Sequence, residues 1–149
     1  MTIRIRTLDK ENLGSIQKLW EGLNAHHLAN STYFKDFYSQ YTFEKRAKQL
    51  IKREKLIAYV AESDGKKVGY CVATVDGGAG EIDSLFVDEA YRGKGVGKEL
   101  TSLALKWLDK QNCETIRVSI AQGNENAFGF YRHFGFAERC TVLQKRGNA

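Results

Sequence analysis

The stretch Glu81-Ile-Asp-Ser-Leu-Phe-Val-Asp-Glu-Ala-Tyr-Arg-Gly-Lys-Gly-Val-Gly-Lys-Glu-Leu100 decides how the rest of the chain is read. Ile82, Leu85, Phe86 and Val87 make an apolar-rich strand pattern, which breaks into a basic loop punctuated by three alternate glycines. The loop runs directly into an amphipathic helical pattern of Val96, Leu100, Leu103, Ala104, Trp107 and Leu108. Strand, glycine loop and helix in this order can hold a phosphate. Alternate glycines leave backbone N–H groups uncovered, the first helical turn has N–H groups with no intrahelical acceptor, and Arg92, Lys94 and Lys98 add positive charge.

Spacing then narrows the ligand. A nucleotide-binding P-loop needs four residues between its glycines and a Ser or Thr after the Lys to hold magnesium; here Gly93 and Gly97 bracket three residues and Lys98 is followed by Glu99. A dinucleotide fingerprint needs G-x-G-x-x-G, whereas Gly93-Lys94-Gly95-Val96-Gly97 is only G-x-G-x-G and has no N-terminal dinucleotide-binding βαβ unit around it.

Upstream, residues 56–63 read as a strand, Asp64-Gly65 as a two-residue hairpin turn, and 68–75 as the partner strand, with a second glycine-rich turn at 76–80. Residues 2–7 read as a first strand, followed by a helix capped by Asp9 with Leu13, Ile16, Trp20, Leu23 and His27 on one face. Residues 25–41 are aromatic and polar without periodicity, which predicts loop and a short helix; residues 43–54 predict a helix whose basic residues form a solvated face. Downstream, the helix after the glycine loop should end near Gln111-Asn112, and 115–121 should be a strand lying parallel to the one at Glu81. Asn124 stands where a helix N-cap belongs, Gly135 where the helix stops, and 136–145 predicts a final strand or hairpin. The fold class expected is α+β: a mixed sheet in which an antiparallel N-terminal meander is continued by a parallel βαβ unit, with helices on both faces, in a single domain over 1–149.

Composition excludes several classes. No apolar run approaches the roughly 18 residues of a membrane span, and the N-terminus alternates like a strand rather than carrying a signal peptide's apolar block, so a cytoplasmic protein is expected. Three cysteines without a CxxC pair or nearby histidine suggest neither a disulfide framework nor a metal site. The net charge of +5 would suit nucleic acid, but the basic stretch from Lys45 to Lys55 lacks interleaved stacking aromatics, so no nucleic-acid partner is expected.

The pattern Arg92-x-x-Gly95-x-Gly97 after a strand ending Leu85-Phe86-Val87 resembles the pyrophosphate-binding motif of the GNAT superfamily of acyl-CoA-dependent N-acyltransferases. A second block, Asn124-Glu-Asn-Ala127-Phe-Gly-Phe130-Tyr131-Arg-His-Phe134-Gly135-Phe136, looks like the other signature of that family. The resemblance covers nearly the whole chain. It departs at Glu89, where relatives often carry a turn-shaping proline, and at 115–121, where some relatives place a catalytic Glu and this chain has no carboxylate.

The resemblance implies acetyl-CoA as the acyl donor, transferred directly to an amine in a ternary complex without a metal. Arg92, Gly93, Lys94, Gly95, Val96, Gly97 and Lys98 would hold the pyrophosphate, Leu85, Phe86 and Val87 the acetyl carbonyl and pantetheine, and Asn124 would hydrogen-bond the cofactor. Tyr131 would be the general acid for the leaving sulfur, since a phenol with an ordinary pKa of about 10 stays protonated at neutral pH. Glu81 is the candidate base through water, with Asp83 second, because period-two alternation puts Glu81, Asp83 and Leu85 on one side of the strand. The acceptor pocket would draw on Trp20, Tyr33, Phe34, Asp36, Tyr38 and Glu81, with the His26 and His27 pair as further candidates; aromatics with carboxylates suit a small cationic amine. Peptide acetylation and CoA binding without turnover are the alternatives. An edge strand near 140–145 could join two copies in a homodimer.

Overall fold

A computed structural model describes residues 2–147. The described residues divide into two compact units, one made of residues 2–23 and 42–119 and the other of 24–41 and 120–147. The elements in chain order are β1 (Ile3–Leu8), a 3-10 turn (Leu13–Ile16), α1 (Gln17–Asn30), α2 (Lys35–Gln40), α3 (Phe43–Ile51), β2 (Lys55–Ser63), β3 (Lys66–Asp76), β4 (Ala79–Val87), a 3-10 turn (Glu89–Tyr91), α4 (Val96–Asp109), β5 (Thr115–Val118) and α5 (Ala127–His133).

In the larger unit the five strands form one sheet in the order β1-β2-β3-β4-β5, antiparallel from β1 to β4 and parallel between β4 and β5. The turn chemistry makes the meander. Asp64 and Gly65 have φ of 51° and 80°, and Gly77 and Gly78 have 56° and 81°, so each pair supplies the two left-handed residues that a tight hairpin turn matching the sheet twist requires. The second turn sets the register that matters here: Asp76 faces Ala79, Val75 faces Gly80 and Thr74 faces Glu81. Alternate β3 residues then serve opposite faces. A Cβ built on Gly69 would meet Leu100 of α4 at 3.4 Å, placing Gly69 and Cys71 on the α4 side, while Thr74, on the other face, hydrogen-bonds Asp83 beneath α3. Leu13, Ile16, Leu50, Tyr70, Ile82, Leu100 and Leu108 are fully buried or nearly so around this sheet, each worth roughly 1.5–3 kcal/mol of transfer free energy.

Three local expectations are corrected. α3 ends at Ile51 rather than at residue 54, and two basic residues of the expected helix, Arg46 on α3 and Arg53 just past its end, reach β4 instead of forming a solvated face. Period-two alternation fails on β4, because Val72 pairs with Ser84 while Ala73 pairs with Ile82. Asp83 is therefore the extra residue of a β-bulge, which rephases the strand; Leu85, opposite Cys71, falls on the face away from Glu81 and Asp83. β5 stops at Val118, three residues short of the expected end.

The second unit contains the last turns of α1, α2 and α5. α1 runs on to Asn30, into the stretch from residue 25 expected to be loop and a short helix; there Asn30 donates back to His26 O at 2.8 Å and Lys35 Nζ caps the carbonyls of Leu28 and Ala29 at 2.8 and 3.0 Å. Gln122 and Thr32 exchange two hydrogen bonds of 2.9 and 3.0 Å. Gly123 (φ 97°) lies so close to Asn30 that a Cβ would stand 2.2 Å from its carbonyl oxygen. Gly123→Ala is expected to cost about 2–4 kcal/mol in denaturant unfolding, strain and overlap together. The final strand or hairpin at 136–145 does not form: this segment has no ladder partner among the described residues, and Val142 and Leu143 are 86% and 91% exposed.

Candidate active site

The strand, loop and helix of the opening stretch all lie in the larger unit. β4 and β5 pair only from Ala79 with Thr115 to Ile82 with Val118. Beyond that point β4 continues to Val87 with β3 as its sole ladder partner among the described residues, so its other edge, from Asp83 to Val87, is open. Leu85, Phe86 and Val87 all lie on this open stretch. A free strand edge presents amide and carbonyl groups that an extended ligand can take up as a further strand would.

The glycine loop follows directly. Gly93 and Gly95 have φ of 74° and 82°, and a Cβ on either would point into open space. Gly95 is the N-cap of α4 and has no side chain to offer the helix; the first N–H of α4 to find a carbonyl is that of Glu99, on Gly95 O at 3.0 Å. Among the described residues, the N–H groups from Gly93 to Lys98 have no backbone acceptor. That is a donor-rich, anion-shaped concavity at a helix N-terminus. Arg92 is exposed but held against β4, its Nε donating to Val87 O at 2.8 Å and its guanidinium lying 5.4 Å from the centre of the Phe86 ring. Lys94 Nζ rests 5.7 Å from the centre of the Tyr91 ring.

At the start of β4 lies a charged cluster. Thr74 Oγ1 donates to Asp83 Oδ2 at 2.6 Å, Arg46 donates to Asp83 O at 3.1 Å, and Arg53 stands 3.9 Å from both Glu81 Oε1 and Asp83 Oδ1. The Asp83 side chain is fully buried and its Oδ1 has no hydrogen-bond partner, whereas the Glu81 side chain is 20% exposed. Burial pushes the Asp83 carboxyl up to about 6, against the opposing pull of the Thr74 hydrogen bond and of Arg46 and Arg53, and with a further push from Glu81. Thr74, Arg46 and Arg53 were not expected in the site. The turn at Gly77-Gly78 could have found Thr74, since its two-residue length already places Thr74 opposite Glu81.

The sign of the Asp83 effect follows from linkage. A carboxyl whose pKa rises on folding binds more protons in the folded state between its unfolded value near 3.8 and about 6, so its contribution to stability is full below that window and is lost as pH rises through it. Asp83→Asn keeps an oxygen for Thr74 and removes the titration. The melting temperature of the variant relative to the native chain is expected to rise from pH 4 to pH 7.5; a difference independent of pH would show that Asp83 does not titrate there.

Of the acceptor-side residues, Trp20 is 5% exposed and packs edge-on against Phe43 at 5.8 Å, within the core of the larger unit. Tyr33, Phe34, Asp36, Tyr38, His26 and His27 belong to the smaller unit. There His27 lies against Tyr38, ring centres 5.4 Å apart, and its pKa is lowered to about 4 by burial first and by His26 second, so it is neutral at pH 7. Asp36 opens α2, and Tyr33 and Phe37 are well exposed.

Tyr131 and Asn124 are also in the smaller unit. Tyr131 is buried on α5, edge-on to Phe130 at 5.1 Å and to Phe136 at 5.7 Å. Asn124 is not the N-cap: α5 begins two residues later than expected, with Asn126 at the cap, while Asn124 closes the preceding turn by accepting from the Ala127 N–H at 3.0 Å. No group of His, Cys, Asp and Glu among the described residues could hold a metal ion, and no helix among them is long and apolar enough to cross a membrane.

A family model described as the acetyltransferase (GNAT) family matches residues 23–136. An uncharacterized N-acetyltransferase of Methanocaldococcus jannaschii is 26% identical over 156 residues, covering 95% of this chain and 63% of that protein, so the chain spans less than two thirds of this relative. Among solved structures, the PaiA N-acetyltransferase of Thermoplasma acidophilum in complex with coenzyme A aligns with a TM-score of 0.71 at 21% identity, over 95% of this chain and 94% of that one. An aminoglycoside acetyltransferase from an uncultured soil sample, in complex with sisomicin, aligns with a TM-score of 0.68 at 20% identity, over 96% and 94%.

Proposed function

Because this chain belongs to the acetyltransferase (GNAT) family, we propose that it moves an acetyl group from acetyl-CoA to a small cationic primary amine, by direct attack in a ternary complex. The observation that carries this reading is the open β4 edge running into a loop whose amides have no acceptor: one site for a chain-like ligand, the next for an anion. Acetyl-CoA would supply both, together with an acyl carbon activated as a thioester.

The residues then divide the work. The amides from Gly93 to Lys98 hold the pyrophosphate and Arg92 stiffens the end of β4 beneath it. Backbone groups of Leu85, Phe86 and Val87 bind the pantetheine arm and orient the acetyl carbonyl, where an amide can stabilise the oxyanion formed on attack. Glu81, the more exposed of the two carboxylates, takes the proton of the attacking amine through water, while Asp83 is sealed behind it. Tyr131 returns a proton to the departing sulfur and Asn124 hydrogen-bonds the donor; both roles rest on the match to the second family motif.

The preference for a cationic acceptor does not come from the β4 carboxylates, which Arg46 and Arg53 offset. It is supported by the exposed aromatics of residues 24–41 with Asp36 at the head of α2, and by the sisomicin complex of the fold neighbour, an amine-bearing ligand. The test is thiol release from acetyl-CoA across a panel of polyamines, amino sugars and amino acids. Release that depends on an amine is the expected result, and none with any of them would sink the reading. A single polypeptide domain acting without a metal, in the cytoplasm and open to homodimer formation, completes the proposal.

A further inference from the structure

Resting on the acetyl-CoA reading, we propose that Lys66 and Lys94, gathered on the ring of Tyr91, form a subsite for a phosphomonoester dianion: the 3′-phosphate on the ribose of the donor. They would thereby select CoA over its 3′-dephospho form. Lys66 opens β3 and Lys94 sits in the middle of the glycine loop, yet their ammonium groups lie 6.0 and 5.7 Å from the centre of the same ring. Tyr91 ends the 3-10 turn immediately before Arg92, so the ring that both ammonium groups approach adjoins the glycine loop in sequence. Both lysines are exposed.

The charges here are not balanced within the protein. The carboxylate in contact with the cluster is Asp88, 3.7 Å from Lys66 Nζ in an exposed pair, which leaves two positive charges against one negative. A dianion within reach of both ammonium groups would gain attraction from each. Arg92 stands apart from this pair: its Nε donates to Val87 O and its guanidinium lies by the Phe86 ring, not that of Tyr91.

Chemistry separates the two anionic parts of the donor. A pyrophosphate diester suits neutral N–H groups and a helix dipole, which provide direction without net charge. A terminal phosphomonoester carries close to two charges at neutral pH on three oxygens, and compact ammonium point charges on flexible stems match it. The cradle and the lysine pair supply these two kinds of site side by side.

Calorimetric titration of CoA and of 3′-dephospho-CoA, at one low ionic strength, tests this. The native chain is expected to bind CoA about tenfold more tightly, the scale of one charge-assisted contact. Lys66→Ala should cut that preference to about threefold or less while leaving the affinity for 3′-dephospho-CoA within about twofold. Lys18→Ala, at an exposed position on α1, should leave the preference intact. Equal binding of both ligands by the native chain would overturn the subsite while leaving the donor reading standing. So would a preference that survives Lys66→Ala, or an equal loss for both ligands. Binding of neither ligand would overturn the subsite and the donor reading together.

Discussion

Gly95→Val is expected to weaken acetyl-CoA binding by about 100-fold or more while leaving the sheet folded. Gly95 holds φ at 82°, a left-handed conformation that a β-branched residue adopts only at a cost of about 1–2 kcal/mol, and it does so at the N-cap of α4. The loop would relax toward negative φ and turn its amides away from a common point. Losing one or two charge-assisted N–H to phosphate contacts, each worth about 1.5–3 kcal/mol, accounts for the loss. Little of this should reach the core, because a Cβ at Gly95 meets nothing within 4 Å and Leu100, Ala104 and Leu108 of α4 stay packed. Circular dichroism with a melting temperature, beside calorimetric titration of acetyl-CoA, separates the two effects. A variant that keeps native affinity would mean that the loop geometry does not hold the donor.

Tyr131→Phe is expected to lower kcat by about 100-fold and to leave KM for acetyl-CoA within about threefold, since general acid catalysis contributes on the order of 100- to 10,000-fold and acts on the transition state alone. The substitution keeps the ring that packs edge-on against Phe130 and Phe136, so the loss cannot be assigned to packing. A native rate with a good acceptor would remove Tyr131 from the chemistry and leave it a core residue of α5.

The parts of the fold that were legible in the sequence are those set by local chemistry. Asp64-Gly65 and Gly77-Gly78 each supply two left-handed residues, and from them follow three strands and their register next to the turns. The glycine loop and the periodic apolar face of α4 were equally plain, because Val96, Leu100, Ala104 and Leu108 are all buried. What escaped was set by partners distant in sequence. The bulge at Asp83 is a property of pairing between β3 and β4, and no feature of β4 alone announces it, yet it moves Leu85 to the other face. Arg46 and Arg53 read as a solvated stripe on a basic helix, whereas Arg46 of α3 and Arg53 just beyond it both reach β4. Helix at 25–30 depends on Lys35 capping carbonyls from beyond the helix end. Residues 136–145 were expected to be a strand or hairpin, but a strand exists only by pairing, and this segment pairs with no other among the described residues, which leaves Val142 and Leu143 exposed.

The account turns on one claim, that the loop from Gly93 to Lys98 receives the acyl donor. Titrating 15N-labelled protein with acetyl-CoA and following the backbone amide resonances tests it most directly. The account predicts large, saturable shifts for Gly93 to Lys98 and for the open β4 residues Leu85 to Val87, with the hairpin amides at Asp64 and Gly65 little moved. Saturable binding that leaves the loop amides in place, or no perturbation at all at millimolar ligand, would contradict it.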